Sequence, residues 1–347
     1  MDVSFTRSFE AVSGPEWRLL AERAGHVFAT REWLQAWWRR YGRRGEPLLG
    51  VARANGDPAA IVALEIWQRH GLPILRFVGH GPSDQLGPIC GPRADPSAAA
   101  ATTALMAGVP LRRFVLIAEH VAGDRGFDEL TGARPLYRES SPVVRLGHAS
   151  WEEFLDARSS NFRQQARKYP RRLAKRGPVS YRLADDPERL DRDLDLLFEL
   201  HRMRWAGVTT PFLQASGFHR EFAAQALAEG WLRLWFLEIA GTPVAALYGF
   251  RFAGAESSYQ AGRDPAFESG RVGFVLLAHA IQQALADGMS EYRLLRGGAA
   301  YKDRFATSDP GLGTYGLPRG GPARLVLALA LRARGRSLGL RRLLDRT

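Results

Sequence analysis

The sequence predicts an α/β protein with mixed sheets, divided into two domains, and three observations support this prediction. The chain has 347 residues, which is enough for two domains that each bury a core. Residues 259–305 follow the order strand, glycine-bearing turn, helix and strand, because apolar side chains recur at helical spacing from Phe274 and Gly288 follows where a helix should end. A strand–turn–strand pattern also occurs twice, around Gly56-Asp57-Pro58 and Gly241-Thr242-Pro243. This repeat indicates a duplicated α/β unit, with a chance match of two hairpins as the alternative.

We expect an N-terminal domain at residues 1–150, a C-terminal domain at residues 151–320 and a basic amphipathic helix at residues 321–347. Thr30 is a good N-cap for a helix whose clustered aromatic side chains we interpret as core. In the second domain, Pro170 should kink or break the helix that contains it.

Composition is that of a globular protein in a reducing compartment. Cys90 is the single cysteine, which excludes an internal disulfide framework. The first residues lack the basic and then apolar pattern of a signal peptide, and the apolar run at 325–331 is far shorter than the ~20 residues that span a bilayer. We therefore expect a cytoplasmic protein.

Positive charge is concentrated in two stretches of a chain whose net charge is +12. Between Asp156 and Asp185 no acidic residue occurs among many basic ones, and the C-terminal 321–347 segment is rich in arginine. Such a field favours anionic partners: nucleotide phosphates, an acidic acyl-carrier protein, tRNA or a membrane surface. A solvated basic face is the plain alternative, and DNA is not among the expected partners.

The glycines before the helix in residues 259–305 predict an anion-binding turn. A helix that opens on a glycine turn leaves its first N–H groups unpaired at the positive end of the helix dipole, so a phosphate can approach the backbone. The residues of this turn are Gly270, Arg271, Val272, Gly273 and Phe274. An ordinary junction between a loop and a helix is the alternative.

This segment resembles the carboxy-terminal half of GNAT acyltransferases of the FemAB/CelD-like branch. The matching positions are Tyr259, Gly262, Asp264, Pro265, Gly273, Ile281, Ala284, Gly288, Gly297, Tyr301 and Lys302. The resemblance implies two tandem GNAT-like domains, each with a central, mostly antiparallel sheet flanked by helices. Three positions depart from the family pattern: Val272 replaces a proline, Arg293 an aspartate and Ala299 an acidic residue.

The resemblance also implies roles for individual residues. Tyr301 is expected to protonate the leaving group. Asp264, His201 and Glu238 are the ionisable groups expected nearest the cleft, and the choice of base among them stays open. Lys302 is expected to contact a phosphate or carbonyl of the donor, together with the residues of the glycine turn. The expected substrate contacts are Arg163, Arg204, Trp205, Tyr259 and Asp84. The bland alternatives are a surface pair for Tyr301 and Lys302, a packed histidine for His201 and a loop cap for Asp84.

These residues fit acyl transfer to an amine. An amine with a pKa of ~10.4 must lose its proton before it attacks, and a phenol with a pKa of ~10 protonates a thiolate with a pKa of ~8.5 at a cost of roughly 2 kcal/mol. We expect an N-acyltransferase that uses acyl-CoA or an acyl-carrier protein, with no metal. The alternatives are an aminoacyl-tRNA-dependent transferase and a non-catalytic module that binds an acidic partner.

Overall fold

The computed structural model describes residues 1–42, 45–69 and 71–333 and confirms the predicted α/β class. Two mixed sheets are each flanked by helices, and each sheet belongs to its own compact unit. The first unit comprises Met1–Ala24, Phe28–Glu139 and the chain from Gly311 onward, and the second comprises Gly25–Val27 and Ser140–Pro310.

The first unit contains a sheet in the order β1-β2-β3-β4-β6-β14-β7, with β5 paired to β3. Its strands are β1 (Asp2–Thr6), β2 (Glu46–Ala54), β3 (Asp57–Arg69), β4 (Leu72–Phe77), β5 (Ile89–Cys90), β6 (Phe114–Ala122), β7 (Arg134–Glu139) and β14 (Leu312–Arg319). Its helices are α1 (Gly14–Ala24), α2 (Arg31–Tyr41), α3 (Pro96–Gly108), α4 (Phe127–Thr131) and α12 (Gly321–Ala333). The pairs are antiparallel except β4 with β6.

Strand β14 makes the first unit discontinuous in sequence. It follows the whole second unit along the chain, yet it lies between β6 and β7 and pairs with both. The compact units therefore do not divide at residues 150 and 320, where the sequence pattern placed boundaries, because the last strand returns to the first sheet. The described part of the expected C-terminal helix is α12, and the rest of 321–347 lies outside the described residues.

The second unit contains a sheet in the order β8-β13-β12-β11-β10-β9, in which only β12 and β13 pair in parallel among the described strands. Its strands are β8 (Val143–Arg145), β9 (Val179–Leu183), β10 (Leu232–Ile239), β11 (Thr242–Phe252), β12 (Ala255–Arg263) and β13 (Glu291–Arg293). Its helices are α5 (Trp151–Asp156), α6 (Ser160–Ala174), α7 (Leu190–Arg204), α8 (Pro211–Gln214), α9 (Ser216–Ala228), α10 (Val272–Ala286) and α11 (Ala300–Phe305).

Alternation along β11 supplies side chains to both faces of the second sheet. Leu247 packs in the cluster formed with α10, whereas Phe250 contacts Phe222 of α9 at 5.3 Å between ring centroids. This is the period of two that places successive strand residues on opposite faces. Helices thus cover the sheet on both sides, which leaves the strand ends as the place for a site.

Local sequence signals account for several helix ends. The Thr30 side chain accepts a hydrogen bond from the backbone N–H of Trp33, which confirms the N-cap of α2. Gly288 has a φ of 74° and its N–H donates to Leu285 O, which confirms a left-handed end for α10. Helix α6 runs through Pro170 without ending there, so of the two expected outcomes the break is wrong and the kink stays a prediction.

No helix within 1–42, 45–69 or 71–333 combines the length and apolar character that crossing a bilayer requires.

Candidate active site

The parallel strands β12 and β13 diverge, and this opens the centre of the second sheet. They pair through three positions only, the last being Ser257 with Arg293. β12 continues to Arg263, so among the described residues its edge beyond Ser257 has no β13 partner. A strand edge of this kind presents backbone N–H and C=O groups that an extended ligand can pair with.

A β-bulge lies at the same point on the other side of β12. Tyr248 pairs with Gln260 and Gly249 pairs with Ser258, so Tyr259 is the extra residue of the bulge. A Cβ on Gly249 would lie 1.9 Å from Ser257 O, so only glycine permits this approach. Bulges re-aim backbone and side-chain groups and are common next to active sites.

The turn after β12 ends at an open helix N-terminus. Arg271 adopts a left-handed conformation with φ of 56°, and its carbonyl accepts from the N–H groups of Phe274 and Val275. Val272 and Gly273, the first two residues of α10, have no intrahelical acceptor for their N–H groups. A Cβ on Gly273 would meet no heavy atom within 4 Å. The backbone at this end of α10 is therefore accessible to an anion.

The other residues of the predicted glycine turn have packing roles. Gly270 is buried, and a Cβ there would lie 2.4 Å from Leu173 Cδ2 on α6. Phe274 packs between Phe162 and Phe305, at 5.6 and 4.8 Å between ring centroids. These contacts hold α6 and α11 against the start of α10.

The Lys302 side chain contacts backbone carbonyls, in contrast to the predicted contact with the donor. Its side chain is buried, and its Nζ donates to Leu295 O at 3.0 Å and to Arg296 O at 2.7 Å. The ammonium therefore ties α11 to the preceding loop, and we do not propose a phosphate contact for it.

His201 is buried and neutral, with both ring nitrogens engaged. Nδ1 lies 3.1 Å from Ala261 O and Nε2 lies 2.9 Å from Thr210 Oγ1. A carbonyl only accepts, so Nδ1 carries the proton and Nε2 accepts from the threonine hydroxyl. Burial lowers the pKa of His201 to about 4, from an ordinary value near 6.5. The arrangement fixes the end of α7 to β12.

Arg204 and Tyr301 meet beside the same carbonyl. Arg204 Nη1 donates to Ala261 O at 3.1 Å, and the Tyr301 hydroxyl interacts with the guanidinium. Burial is the main cause that lowers the pKa of Arg204. Tyr301 is 43% exposed, and Trp205 is exposed with its ring centroid 5.4 Å from the Arg204 Cζ. Tyr301, Arg204 and Trp205 therefore form one accessible cluster.

The remaining predicted residues are spread over other places. Asp264 Oδ1 accepts from Ala266 N at 2.8 Å and caps the short 3₁₀ helix Pro265–Gly270. Arg163 donates to the carbonyls of Asp156 and Arg158 at the end of α5. Asp84 is buried in the first unit. Among the described residues, no group of acidic, histidine or cysteine side chains has an arrangement that would hold a metal ion.

Tyr292 lies beside the point where β12 and β13 diverge, a placement that the sequence did not reveal. It belongs to the pair next to the point where β12 and β13 diverge, and its hydroxyl interacts with Ser258, the residue before the bulge. Burial raises the pKa of Tyr292 well above its ordinary value. A tyrosine in the short strand after the donor helix was visible in the sequence, but its partner on β12 depends on strand pairing.

A buried polar cluster lies behind the bulge. His219 and Tyr248 are fully buried, their rings contact each other at 5.9 Å, and neither the ring nitrogens of His219 nor the hydroxyl of Tyr248 has a hydrogen-bond partner within the described residues. Burial lowers the pKa of His219 to about 3 and raises the pKa of Tyr248. His219 is therefore neutral in the folded protein at ordinary pH.

We expect His219 to make the protein sensitive to acid. Its pKa is lowered on folding, so below about pH 6.5 the unfolded chain binds a proton that the folded protein does not, and stability falls as pH decreases toward about 3. This residue should account for a loss of about 2 kcal/mol between about pH 7.5 and about pH 5. In His219→Leu that part of the loss should disappear, with stability near neutrality changed by less than about 1.5 kcal/mol.

Urea unfolding at both pH values measures this effect. In His219→Leu the free energy of unfolding should still fall as pH decreases, but less steeply than in the wild type. The remaining fall is expected because burial also lowers the pKa values of His201 and His279 to about 4. If the free energy of unfolding depended on pH equally in His219→Leu and in the wild type, His219 would not be the source of the acid sensitivity.

Comparison with known proteins identifies a domain and a fold. The sequence profile of the acetyltransferase (GNAT) domain matches residues 160–303. No curated protein matches the chain in sequence. In structure, the chain is similar to FemX, with a TM-score of 0.65 at 9% identity, covering 91% of this chain and 98% of that one.

Two further solved structures share the fold. A conserved protein of unknown function from Bacteroides thetaiotaomicron VPI-5482 has a TM-score of 0.59 at 12% identity, covering 92% of this chain and 100% of that one. The C-terminal domain (DUF2156) of a putative lysylphosphatidylglycerol synthetase from Agrobacterium fabrum has a TM-score of 0.53 at 11% identity, covering 92% and 98%. Residues 160–303 thus match the acetyltransferase (GNAT) domain, and the chain shares the fold of FemX.

Proposed function

We propose that this protein is an N-acyltransferase that transfers an acyl group from acyl-CoA, or from the phosphopantetheine of an acyl-carrier protein, to an amine. The observation that carries the proposal is the divergence of β12 and β13 next to the open N-terminus of α10. A donor of this class has phosphates at one end and an extended, amide-bearing arm at the other. The helix start suits the phosphates, and the edge of β12 from which β13 diverges suits the arm.

The acyl carbonyl would lie near the bulge at Tyr259. The acceptor amine attacks the carbonyl carbon, negative charge develops on the carbonyl oxygen, and the C–S bond then breaks. A bulge re-aims the backbone of its strand, and bulges are common next to active sites, so we place the stabilisation of this oxyanion at the bulge. The bulge and the divergence of β12 from β13 occur at the same point, which supports placing the reaction there.

Tyr301 is the proposed acid in this reaction. The side chain is 43% exposed, and its hydroxyl gives a proton to the departing thiolate and regains one from solvent, while the Arg204 guanidinium offsets the negative charge that develops on the phenol oxygen. The attacking amine loses its proton to a base. His201 is not proposed as that base, because its Nε2 lone pair already accepts from Thr210. Asp264 stays the candidate, through the carboxylate oxygen that does not cap the 3₁₀ helix.

Replacing Gly273 with glutamate is expected to weaken donor binding without lowering the stability of the fold. In Gly273→Glu a negative charge stands where we place the donor phosphates, so binding of acetyl-CoA or longer acyl-CoAs should weaken at least about tenfold relative to Gly273→Gln. The glutamate itself favours the helix N-terminus by roughly 0.3–1 kcal/mol, so a fall in stability is not expected. Thermal shift and calorimetric titration with acyl-CoA measure both effects.

The glutamine variant is the matched control, since it has the same size without the charge. Equal binding by the two variants would place the phosphates elsewhere. If the wild-type protein is not stabilised by any acyl-CoA and does not accept an acyl group from a loaded carrier protein, the proposed donor class is wrong.

A second candidate function uses aminoacyl-tRNA as the donor and is favoured by the exposed face of α6. Helix α6 lies beside the start of α10, with the Tyr169 ring 5.3 Å from that of Phe274. Basic residues on and just after it are exposed and form no ion pair with any described residue: Arg167, Lys168, Arg171, Arg172 and Lys175. Such a surface suits a polyanionic donor.

Salt dependence distinguishes these donors. Contacts with several phosphates make tRNA affinity fall steeply between about 50 and about 200 mM salt. Binding of that kind, reduced in Arg167→Gln/Arg171→Gln but not in the control Arg192→Gln, would favour the tRNA-dependent reaction. If no donor is turned over at all, the chain is a non-catalytic module, which the departures at Val272, Arg293 and Ala299 motivate.

A further inference from the structure

Helix α12 is held to the first sheet by one narrow face. Ala323 is fully buried in a cluster with Leu72 and Val115, and Leu327 is 2% exposed. A Cβ on Gly316 of β14 would lie 2.7 Å from Leu327 Cδ1, so the helix packs directly on the strand backbone at that point. The four-residue spacing of Ala323 and Leu327 defines the inward side of the helix.

The outward side of α12 is apolar and faces solvent. Leu325 is 62% exposed, Val326 is 41% exposed and Leu329 is 54% exposed. Leu325 and Leu329 are four residues apart and Val326 and Leu329 are three apart, so the three side chains form one strip on the helix surface. A continuous exposed apolar strip is unusual on a helix that already has a packed face, and it indicates a contact with something else.

Exposed arginines lie beside this apolar strip and at the start of the helix. Arg324 is exposed beside it, and Arg112 and Arg113 are exposed at the start of the helix, where a Cβ on Gly320 would lie 3.1 Å from Arg113 Cβ. Within the described part of the chain, none of these three forms an ion pair. The sequence beyond Leu329 adds further arginines against the single acidic residue Asp345: Arg332, Arg334, Arg336, Arg341, Arg342 and Arg346.

We propose that α12 binds the surface of a bilayer that contains anionic lipids. The 13 described residues of α12 span about 20 Å, and their exposed apolar strip suits a helix that lies in the interface. Leu325, Val326 and Leu329 enter the boundary between headgroups and acyl chains, and the arginines contact lipid phosphates. Each basic residue near an anionic surface adds attraction, so the apolar and charged parts act together.

The charges argue against a second copy of this chain as the occupant. In a two-fold contact through α12 the same patch meets itself, which would bring the arginines of both copies together without carboxylates between them. The strip also lacks the aromatic side chains that are enriched at protein interfaces. An anionic lipid surface offers acyl chains to the apolar strip and phosphates to the nearby arginines.

Co-sedimentation of the full-length protein with vesicles tests the proposal. The vesicles are phosphatidylcholine alone and phosphatidylcholine with phosphatidylglycerol at about 2:1. We expect binding to the mixed vesicles, weakened on the order of tenfold in Leu325→Ser/Leu329→Ser and also reduced in Arg112→Gln/Arg113→Gln. Leu19→Ser is the matched control, because Leu19 is a 41% exposed leucine on another helix of the same unit and its loss should leave binding unchanged.

Several results would overturn the proposal. Absence of binding to mixed vesicles would mean that the strip is covered by something else, including the protein's own C-terminal residues. Equal binding by wild type and Leu325→Ser/Leu329→Ser, with equal thermal stability of both, would place the lipid contact elsewhere. Sedimentation velocity that shows a dimer in the wild type and a monomer in the leucine variant would assign the strip to self-association.

Discussion

Replacing Gly262 with alanine is expected to destabilise the second unit by about 3 kcal/mol or more, at the upper end of the cost of overpacking. A Cβ at this position would lie 2.4 Å from His201 N and 2.6 Å from Leu200 C. Both atoms belong to the backbone of α7, which cannot move aside as a flexible side chain can. The whole helix would have to shift away from β12.

Urea unfolding of Gly262→Ala against Gly273→Ala measures this cost. Gly273 also lies in the second unit, but a Cβ there meets no heavy atom within 4 Å, and alanine in a helix is favoured over glycine by roughly 0.5–1 kcal/mol. We expect the first variant to lower the unfolding midpoint strongly and the second to leave it equal or higher. Similar midpoints for the two variants would show that α7 is not in close contact with β12 at this point.

The same displacement should also disturb the proposed site. Arg204 and His201 both donate to Ala261 O, the carbonyl before Gly262. A shift of α7 moves both side chains relative to β12 and to Tyr301. If a folded fraction of Gly262→Ala remains, we expect its acyl transfer to be impaired more than its content of native protein explains.

The case of Gly262 separates what the sequence could predict from what it could not. Resemblance marked this glycine as part of a motif, but the reason for it, the crossing of α7 over β12, depends on packing between distant segments. By contrast, the N-cap at Thr30 and the left-handed residue at Gly288 were predictable, because each depends on neighbours within a few residues.

Non-local pairing explains what the sequence did not predict. Strand β14 (Leu312–Arg319) has no local signal that names β6 and β7 as its neighbours, so its return to the first sheet could not be read from the pattern. The polarity of a side chain also did not reveal its partners. The sequence suggests that Lys302 is an exposed charge beside Tyr301, but its ammonium is buried and donates to two carbonyls.

Tyr301→Phe is expected to lower kcat for acyl transfer on the order of 100-fold, with little change in KM for the donor. The substitution removes only the hydroxyl that would protonate the departing thiolate, so binding of the donor at the start of α10 should persist. Its effect on stability should be small, because the side chain is 43% exposed. Steady-state kinetics with acyl-CoA and an amine, together with thermal melting, separate these quantities.

The partner of Tyr301 gives this prediction a second test. If Arg204 acts through the Tyr301 hydroxyl, Arg204→Gln should slow the wild-type enzyme but have almost no further effect in Tyr301→Phe, since residues that act as a unit are not additive. Tyr137→Phe serves as the matched control, because Tyr137 is a 53% exposed tyrosine in the first unit. Additive losses for Tyr301 and Arg204 would mean that the guanidinium works independently of the phenol, for example by holding Ala261 O. Full activity in Tyr301→Phe would remove the phenol from the reaction and leave solvent as the source of the leaving-group proton.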